Sequence, residues 1–258
     1  NLPTITIRGI KMSAPTNLDE FIEKFTKIKE SGWIETHRSG RTGIGKTLED
    51  LLDIEENNKD EPDFAQYELK AMRTNGGDTQ LLTLLTKSPL PDGANARLLE
   101  TYGYISDAYE HKKKVLHSTL STGHFAQVAD TGKSLSVDCS DNKIRIIDNE
   151  GNSFAYWTEE TLRAAFNKKY PFSMVHAYAD SQMGSRKEEF YFHTAYELSE
   201  FSFEKLLVQL REGKVKVDIR IGQYPNGKTH DHGTGFRIQD RALTEIFLNK
   251  KVLVGDND

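Results

Sequence analysis

The sequence predicts an α/β protein with a mixed sheet and flanking helices. Apolar residues recur at helical spacing in some segments and alternate in others, and the two kinds of segment are interspersed along the chain. Asn17 offers an N-cap with Glu20 three residues on; Leu18, Phe21, Ile22, Phe25 and Ile28 follow at helical spacing until Gly32 closes the segment. A polar, glycine-rich connection from His37 to Gly45 leads to a second helix from about Thr47, with Leu48, Leu51 and Leu52 inward. After a turn at Asp60 to Pro62, residues 63–72 read as a strand and 79–86 as a more buried one. The stretch 98–157 is less regular, but KIRII and SFAYW around Asp148 to Asn152 give a hairpin signal. Thr158 to Lys169 is helical, 172–179 and 189–196 are strands, and Ser202 opens a helix bearing Phe203, Leu206, Leu207 and Leu210. In 214–222, Val215, Val217, Ile219 and Ile221 share one face while Lys214, Lys216, Asp218 and Arg220 share the other. A last strand at 232–238 precedes a helix near 240–248.

A chain of 258 residues, 36% hydrophobic, can bury a core, which excludes a wholly disordered protein. The one cysteine, Cys139, excludes an internal disulfide framework and a cysteine-rich zinc module. No apolar run approaches the length of a membrane-spanning helix, and a soluble, cytoplasmic protein is the expectation. Residues 1–16 read as a leader or linker remnant ahead of a domain at 17–258, and the start at Asn1 without Met reads as the downstream part of a longer protein. The net charge of −5 argues weakly against a nucleic-acid partner, but the acidity is concentrated in one segment. Glu49 to Asp63 carries eight acids and one lysine, a local charge of −7 that leaves the rest of the chain at +2. A basic surface elsewhere on the chain is compatible with that distribution.

Residues 40–47 read GRTGIGKT and satisfy the phosphate-binding P-loop expression letter for letter. That motif needs a buried strand running into its first glycine, and Glu35-Thr36-His37-Arg38-Ser39 cannot be one. No apolar run ending in Asp supplies the second magnesium-binding element. The alternative is a flexible turn with Thr47 capping the next helix.

The pattern that carries chemistry is Asp63 followed by Glu68-Leu69-Lys70. On a strand Glu68 and Lys70 project to one face, and a turn brings Asp63 alongside. Two carboxylates and the backbone carbonyl of Leu69 form an oxygen-rich site suited to Mg²⁺, which polarises a phosphate oxygen. Lys70 would orient or deprotonate the attacking water. The spacing D-x₄-E-x-K is short and arises by chance.

Further residues give that pattern its context. GRTGIGKTLEDLL, PDFAQYELK, LLTLLTKSP and KVDIRIGQYPNGKTHDHGTGFRI, spread from about residue 31 to 238, resemble the MvaI/BcnI family of restriction endonucleases. The resemblance implies a PD-(D/E)xK nuclease fold with the two-lobed architecture of the mismatch-repair nickase MutH. It places the catalytic lobe at about 17–95 and the recognition lobe largely at about 200–240. It makes Asp63 and Glu68 metal-binding carboxylates, Lys70 the catalytic lysine, and Glu49 the acidic residue of the preceding helix. Lys87 is a proposed phosphate contact. Arg220 and Arg237 have the planar fork that pairs with guanine in the major groove, and the implied site is a G·C-rich pseudo-palindrome of the form CC-N-GG. His230 and His232 have no evident third ligand, so contact with phosphate or base edges is the better reading than zinc. Lys228 is expected at the DNA backbone, Gly233 and Gly235 are expected to let the chain approach DNA, and Lys112 to Lys114 are phosphate contacts or simply exposed.

The expectation is therefore a Mg²⁺-dependent restriction endonuclease that acts on double-stranded DNA as a monomer, one strand at a time, with an upstream DNA-binding effector domain suggested by the leader and the missing initiator. The rivals are a MutH-type nickase that needs partner proteins, a DNA-binding module with a decayed active site, and the P-loop nucleotide-binding protein.

Overall fold

The computed structural model describes residues 13–55, 62–75, 80–108 and 113–255. Most of the leader, residues 56–61 of the acidic run and Lys112 lie outside the described residues. In chain order the elements are α1 (Leu18–Glu30), β1 (Ile34–Glu35), α2 (Gly43–Leu51), β2 (Tyr67–Arg73), β3 (Leu81–Thr86), α3 (Ala94–Tyr102), β4 (Tyr104–Ile105), β5 (Lys114–Leu120), β6 (Ala126–Gln127), β7 (Ser134–Ser140), β8 (Lys143–Asp148) and β9 (Ser153–Thr158). There follow α4 (Glu159–Lys169), β10 (Ser173–Met183), β11 (Glu188–Phe201), α5 (Phe203–Arg211), β12 (Val215–Gln223), β13 (Thr229–Asp231), β14 (Gly235–Gln239), a 3₁₀ turn at Asp240–Glu245, and β15 (Phe247–Val254). The class is mixed α/β. The chain divides into two compact units, one of Asn1–Gln80, Asn167–Ser202 and Phe247–Asp258, the other of Leu81–Phe166 and Phe203–Ile246.

The first unit is built on a sheet of order β1-β11-β10-β2, with β15 also paired to β11. Its β2–β10 pair is parallel and the others are antiparallel. The apolar stripe of α1 (Phe21, Phe25, Ile28) and that of α2 (Ile44, Leu48) join Leu69, Val175, Ala177, Ala179, Phe190 and Phe192 in one core. The start of α1 is as the sequence predicts: Asn17 Oδ1 accepts the Glu20 N–H at 2.9 Å. The reciprocal bond differs, because Glu20 accepts the N–H of Thr16 at 2.9 Å and not that of the cap residue.

The second helix begins four residues earlier than Thr47. Glycine's low helix propensity argues against a start at Gly43, yet packing demands it. A β-carbon there would lie 2.2 Å from the Arg38 carbonyl oxygen and 2.7 Å from Thr36 Oγ1. Thr47 is therefore not a cap. It is buried in the helix body, where its hydroxyl donates to Gly43 O at 2.8 Å and accepts the His37 N–H at 3.0 Å, tying the glycine-rich loop down. Lys46 pairs with Asp50 at 2.7 Å. The strand expected from residue 63 begins at Tyr67, because residues 63–67 close a turn in which Tyr67 donates to Phe64 O at 2.8 Å.

The second unit holds two sheets, β3-β14-β12-β5-β4 with β13 on β12, and β6-β7-β8-β9. The clean alternation of β12 buries Val215, Val217, Ile219 and Ile221, as expected. Trp157 and Phe166 pack edge-on against Phe236, with ring centroids 5.2 and 6.0 Å away. The hairpin β8–β9 is where KIRII and SFAYW place it. Helix α3 carries no side-chain capping signal in the sequence, because its N-cap is Gly93 with φ +81°. The helix expected near 240–248 is instead the 3₁₀ turn followed by β15, five of whose eight residues are exposed and so show no alternation.

Candidate active site and nucleic-acid interface

In the first unit, β2 is an edge strand among the described residues, paired only with β10. Leu69 faces the core, while Glu68 and Lys70 project from the other face. The turn at 63–67 folds Asp63 back along the free edge, where its Oδ2 accepts the Leu69 N–H at 2.8 Å. A strand residue points its N–H and C=O to the same side. The Leu69 carbonyl therefore faces that edge too, beside the Asp63 carboxylate.

Glu68 is fully buried. Its Oε1 accepts from Lys70 and lies 3.0 Å from Lys169 Nζ, while Oε2 is buried with no hydrogen-bond partner. An ionised carboxylate in such a place is expensive unless paired. Glu49, half-buried on α2, acts electrostatically on Lys70. The structure thus brings together Glu49, Asp63, Glu68, Leu69 and Lys70, and it adds Lys169 and Tyr170. Burial works to lower the Lys70 pKa, but the charges of Glu68, Asp63 and Glu49 outweigh it and hold the ammonium above its ordinary value. Burial, then the charges of Glu68 and Asp63, push Tyr170 well above its ordinary value and keep its hydroxyl protonated. Neither Lys169 nor Tyr170 was legible in the sequence, since about a hundred residues separate them from Glu68 without a motif.

The donors fit a hard divalent cation. Two carboxylates, one with a bare buried oxygen, and a backbone carbonyl are all oxygen ligands. Among the described residues no group of three or more His, Cys, Asp or Glu is placed to hold a metal. Water and substrate oxygens would have to complete the shell, as they commonly do for Mg²⁺.

Asp63 pays electrostatically for this arrangement. Its pKa is raised, first by burial and then by Glu68, against the opposing pull of Lys70, the Leu69 N–H and Lys169. A carboxyl raised in the folded state stabilises the fold while protonated and loses that contribution as pH rises through its folded value. At neutral pH in EDTA, Asp63→Asn should therefore raise the melting temperature by about 2–4 °C, since the amide oxygen still accepts from Leu69. The gain should vanish below the ordinary carboxylate range. Melting curves of both proteins across pH check this.

In the second unit, Asp218 was expected on the polar face of its strand but is completely buried. Its Oδ2 lies 2.7 Å from Arg220 Nε and 2.8 Å from Arg237 Nε, and its Oδ1 accepts from Thr119 Oγ1 at 2.6 Å. The pairing Lys216↔Arg237 between β12 and β14 sets the two arginines around one carboxylate. His117, whose spacing was uninformative, lies opposite Arg220 across the β5–β12 pair. Burial first, then the charges of Arg220 and His232, lower its pKa. His230 packs between Tyr224 and His232, at centroid distances of 4.3 and 4.2 Å. Desolvation, then His230, lowers the pKa of His232.

The THDHGTG turn is held by Asp231, which accepts from the Gly233 and Thr234 N–H groups at 3.0 and 2.7 Å and from Ser88 and Asn95. Gly235 answers a packing need, since a β-carbon there would lie 2.1 Å from the Leu85 carbonyl oxygen. Lys228 is exposed between β12 and β13. Lys87 is half-buried, and its carbonyl accepts from Trp157 Nε1 at 3.0 Å. Arg220, Arg237, His230, His232, Lys228 and Lys87 all belong to this unit.

Comparison with known proteins gives one family, described as the MvaI/BcnI restriction endonuclease family, whose match spans residues 22–247. Among solved structures the chain is similar to "Restriction endonuclease MvaI-cognate DNA substrate complex", with 34% identity, a TM-score of 0.82, and coverage of 94% of this chain and 100% of that one. It is also similar to "Restriction endonuclease MvaI in the absence of DNA", with 33% identity, a TM-score of 0.55, and coverage of 95% and 100%. No curated protein sequence matches the chain.

Proposed function

The chain belongs to the MvaI/BcnI restriction endonuclease family, and from that premise we propose that it is a Mg²⁺-dependent type II restriction endonuclease cutting double-stranded DNA at a site of the form CC-N-GG. The observation that carries the reading is the convergence of Asp63, Glu68 and Lys70 at the free edge of β2, with Glu68 Oε2 buried and bare. Asp63, Glu68 and the Leu69 carbonyl would hold the cation, with Glu49 behind them. A bound Mg²⁺ supplies Lewis-acid polarisation of a phosphoryl oxygen. The residues of the chain do the rest. Lys70, held against Glu68, would orient or deprotonate the attacking water and help hold the scissile phosphate. Exclusion of water from the buried Glu68 strengthens each of these contacts.

Arg220 and Arg237 are the proposed guanine readers, the first hydrogen-bonded through Nε to Asp218 and the second ion-paired with it. His230 and His232 would meet base or phosphate edges, and Lys87 and Lys228 the DNA backbone. Two arginines on one carboxylate suit one G·C-rich half-site at a time. An asymmetric central pair suits a monomer that nicks the strands in sequence, since one active site serves both strands only by rebinding. Digestion of a plasmid of known sequence with Mg²⁺ should give a nicked form before the linear one, with ends mapping to CC-N-GG sites, and no cleavage in EDTA. Nicking that stops there and needs added partner proteins would favour the MutH-type reading.

A further inference from the structure

Lys169 takes no part in the proposed chemistry, yet the topology delivers it to the centre. Strand β10 runs parallel to β2 with Ser173 opposite Tyr67 and Met174 opposite Glu68. The chain entering β10 therefore arrives at the same end of the sheet as the chain entering β2, where Asp63 sits. Tyr170, its ring 5.3 Å from Phe201 and 5.5 Å from Phe247, anchors the turn after Lys169. A lysine ending a helix ordinarily sends its ammonium into water. The side chain of Lys169 is only 16% exposed, and its ammonium lies 3.0 Å from Glu68 Oε1.

Three carboxylates, Glu68, Asp63 and Glu49, act on Lys70, and Lys169 adds a second ammonium group beside Glu68. Both lysines sit on the same oxygen, and Glu68 Oε2 is left bare. One oxygen paired and the other buried without a partner keeps a buried carboxylate tolerable and leaves it an unused acceptor for a cation.

We propose that Lys169 is a positioning residue that serves as the resident counter-ion of the carboxylate pair, neutralising and orienting Glu68 until a divalent cation takes over that charge, and so setting how tightly the site holds the cation. This rests on Asp63 and Glu68 being the cation's ligands. The test is Ca²⁺ binding to the DNA-free protein, read by calorimetry and by the Ca²⁺ dependence of the melting temperature. Lys169→Met should bind Ca²⁺ about tenfold more tightly, because a nearby like charge is gone. It should also melt lower in EDTA and gain more from Ca²⁺ than the wild type. Lys169→Arg should restore both values, and Lys169→Gln, which removes the charge alone, serves if the Met variant does not fold. Unchanged or weaker Ca²⁺ binding on loss of the charge would overturn the proposal, since that is the behaviour of a lysine that merely braces a helix end. Glu68→Gln separates the two readings. If it abolishes Ca²⁺ binding while Lys169→Met leaves it unchanged, only the role of Lys169 fails. If it too leaves binding intact, the cation site itself is misplaced.

Discussion

Glu68→Gln is expected to cleave DNA at least ~10³-fold more slowly than the wild type while binding DNA in EDTA as tightly or more tightly. The substitution keeps the shape of a fully buried side chain and removes its charge. With the charge goes one of the two oxygens, either the bare one that a cation would use or the one shared by Lys70 and Lys169, because the amide places a nitrogen there. Lys70 loses the charge of its partner, so its hold on the attacking water weakens as well. Removing a negative charge beside a phosphodiester does not weaken the duplex, so the loss should fall on the chemical step and spare affinity. Single-turnover cleavage and gel-shift titration measure the two separately. A residual rate within about tenfold of wild type would remove Glu68 from the reaction.

Asp218→Ala should cost about 3–5 kcal/mol of stability and abolish site-specific cleavage. The carboxylate accepts from Arg220 Nε, pairs ionically with Arg237 and also takes the Thr119 hydroxyl. Its removal leaves two partly buried guanidinium groups repelling each other across β12 and β14, with neither fixed in the plane that a base edge requires. Arg220→Ala should behave differently. It removes one reader and one of the charges on Asp218, so the fold should survive while discrimination falls by about 1–3 kcal/mol at one base pair. Urea unfolding and cleavage of single-base variants of the mapped site distinguish the two outcomes.

How far these residues were legible depended on the range of the signal. Local signals worked: the Asn17 cap, the β8–β9 hairpin and the alternation of β12 each sit within a few residues of one another. The pair Glu68 and Lys70 was legible for the same reason, since a strand puts every second residue on one face. What failed was set by tertiary contact. Gly43 lies in a helix because only a bare α-carbon fits under the Arg38 carbonyl, and no propensity records that. Asp218 looked like a surface residue on a half-exposed strand. Its burial follows from Arg220 of its own strand and Arg237 of the neighbouring strand closing on it. Lys169 was invisible because its partner lies across a parallel crossover, whose register no local pattern specifies.

The central claim is that Asp63 and Glu68 grip a divalent ion at the free edge of β2. Crystals grown with Mn²⁺ and a duplex carrying the mapped site, measured at the manganese edge, test it most directly. The account predicts an anomalous peak roughly 2.0–2.6 Å from carboxylate oxygens of both residues, with the Leu69 carbonyl and a phosphate oxygen beside it. A peak held by other side chains, or a cut duplex with no peak near Asp63 and Glu68, would contradict it.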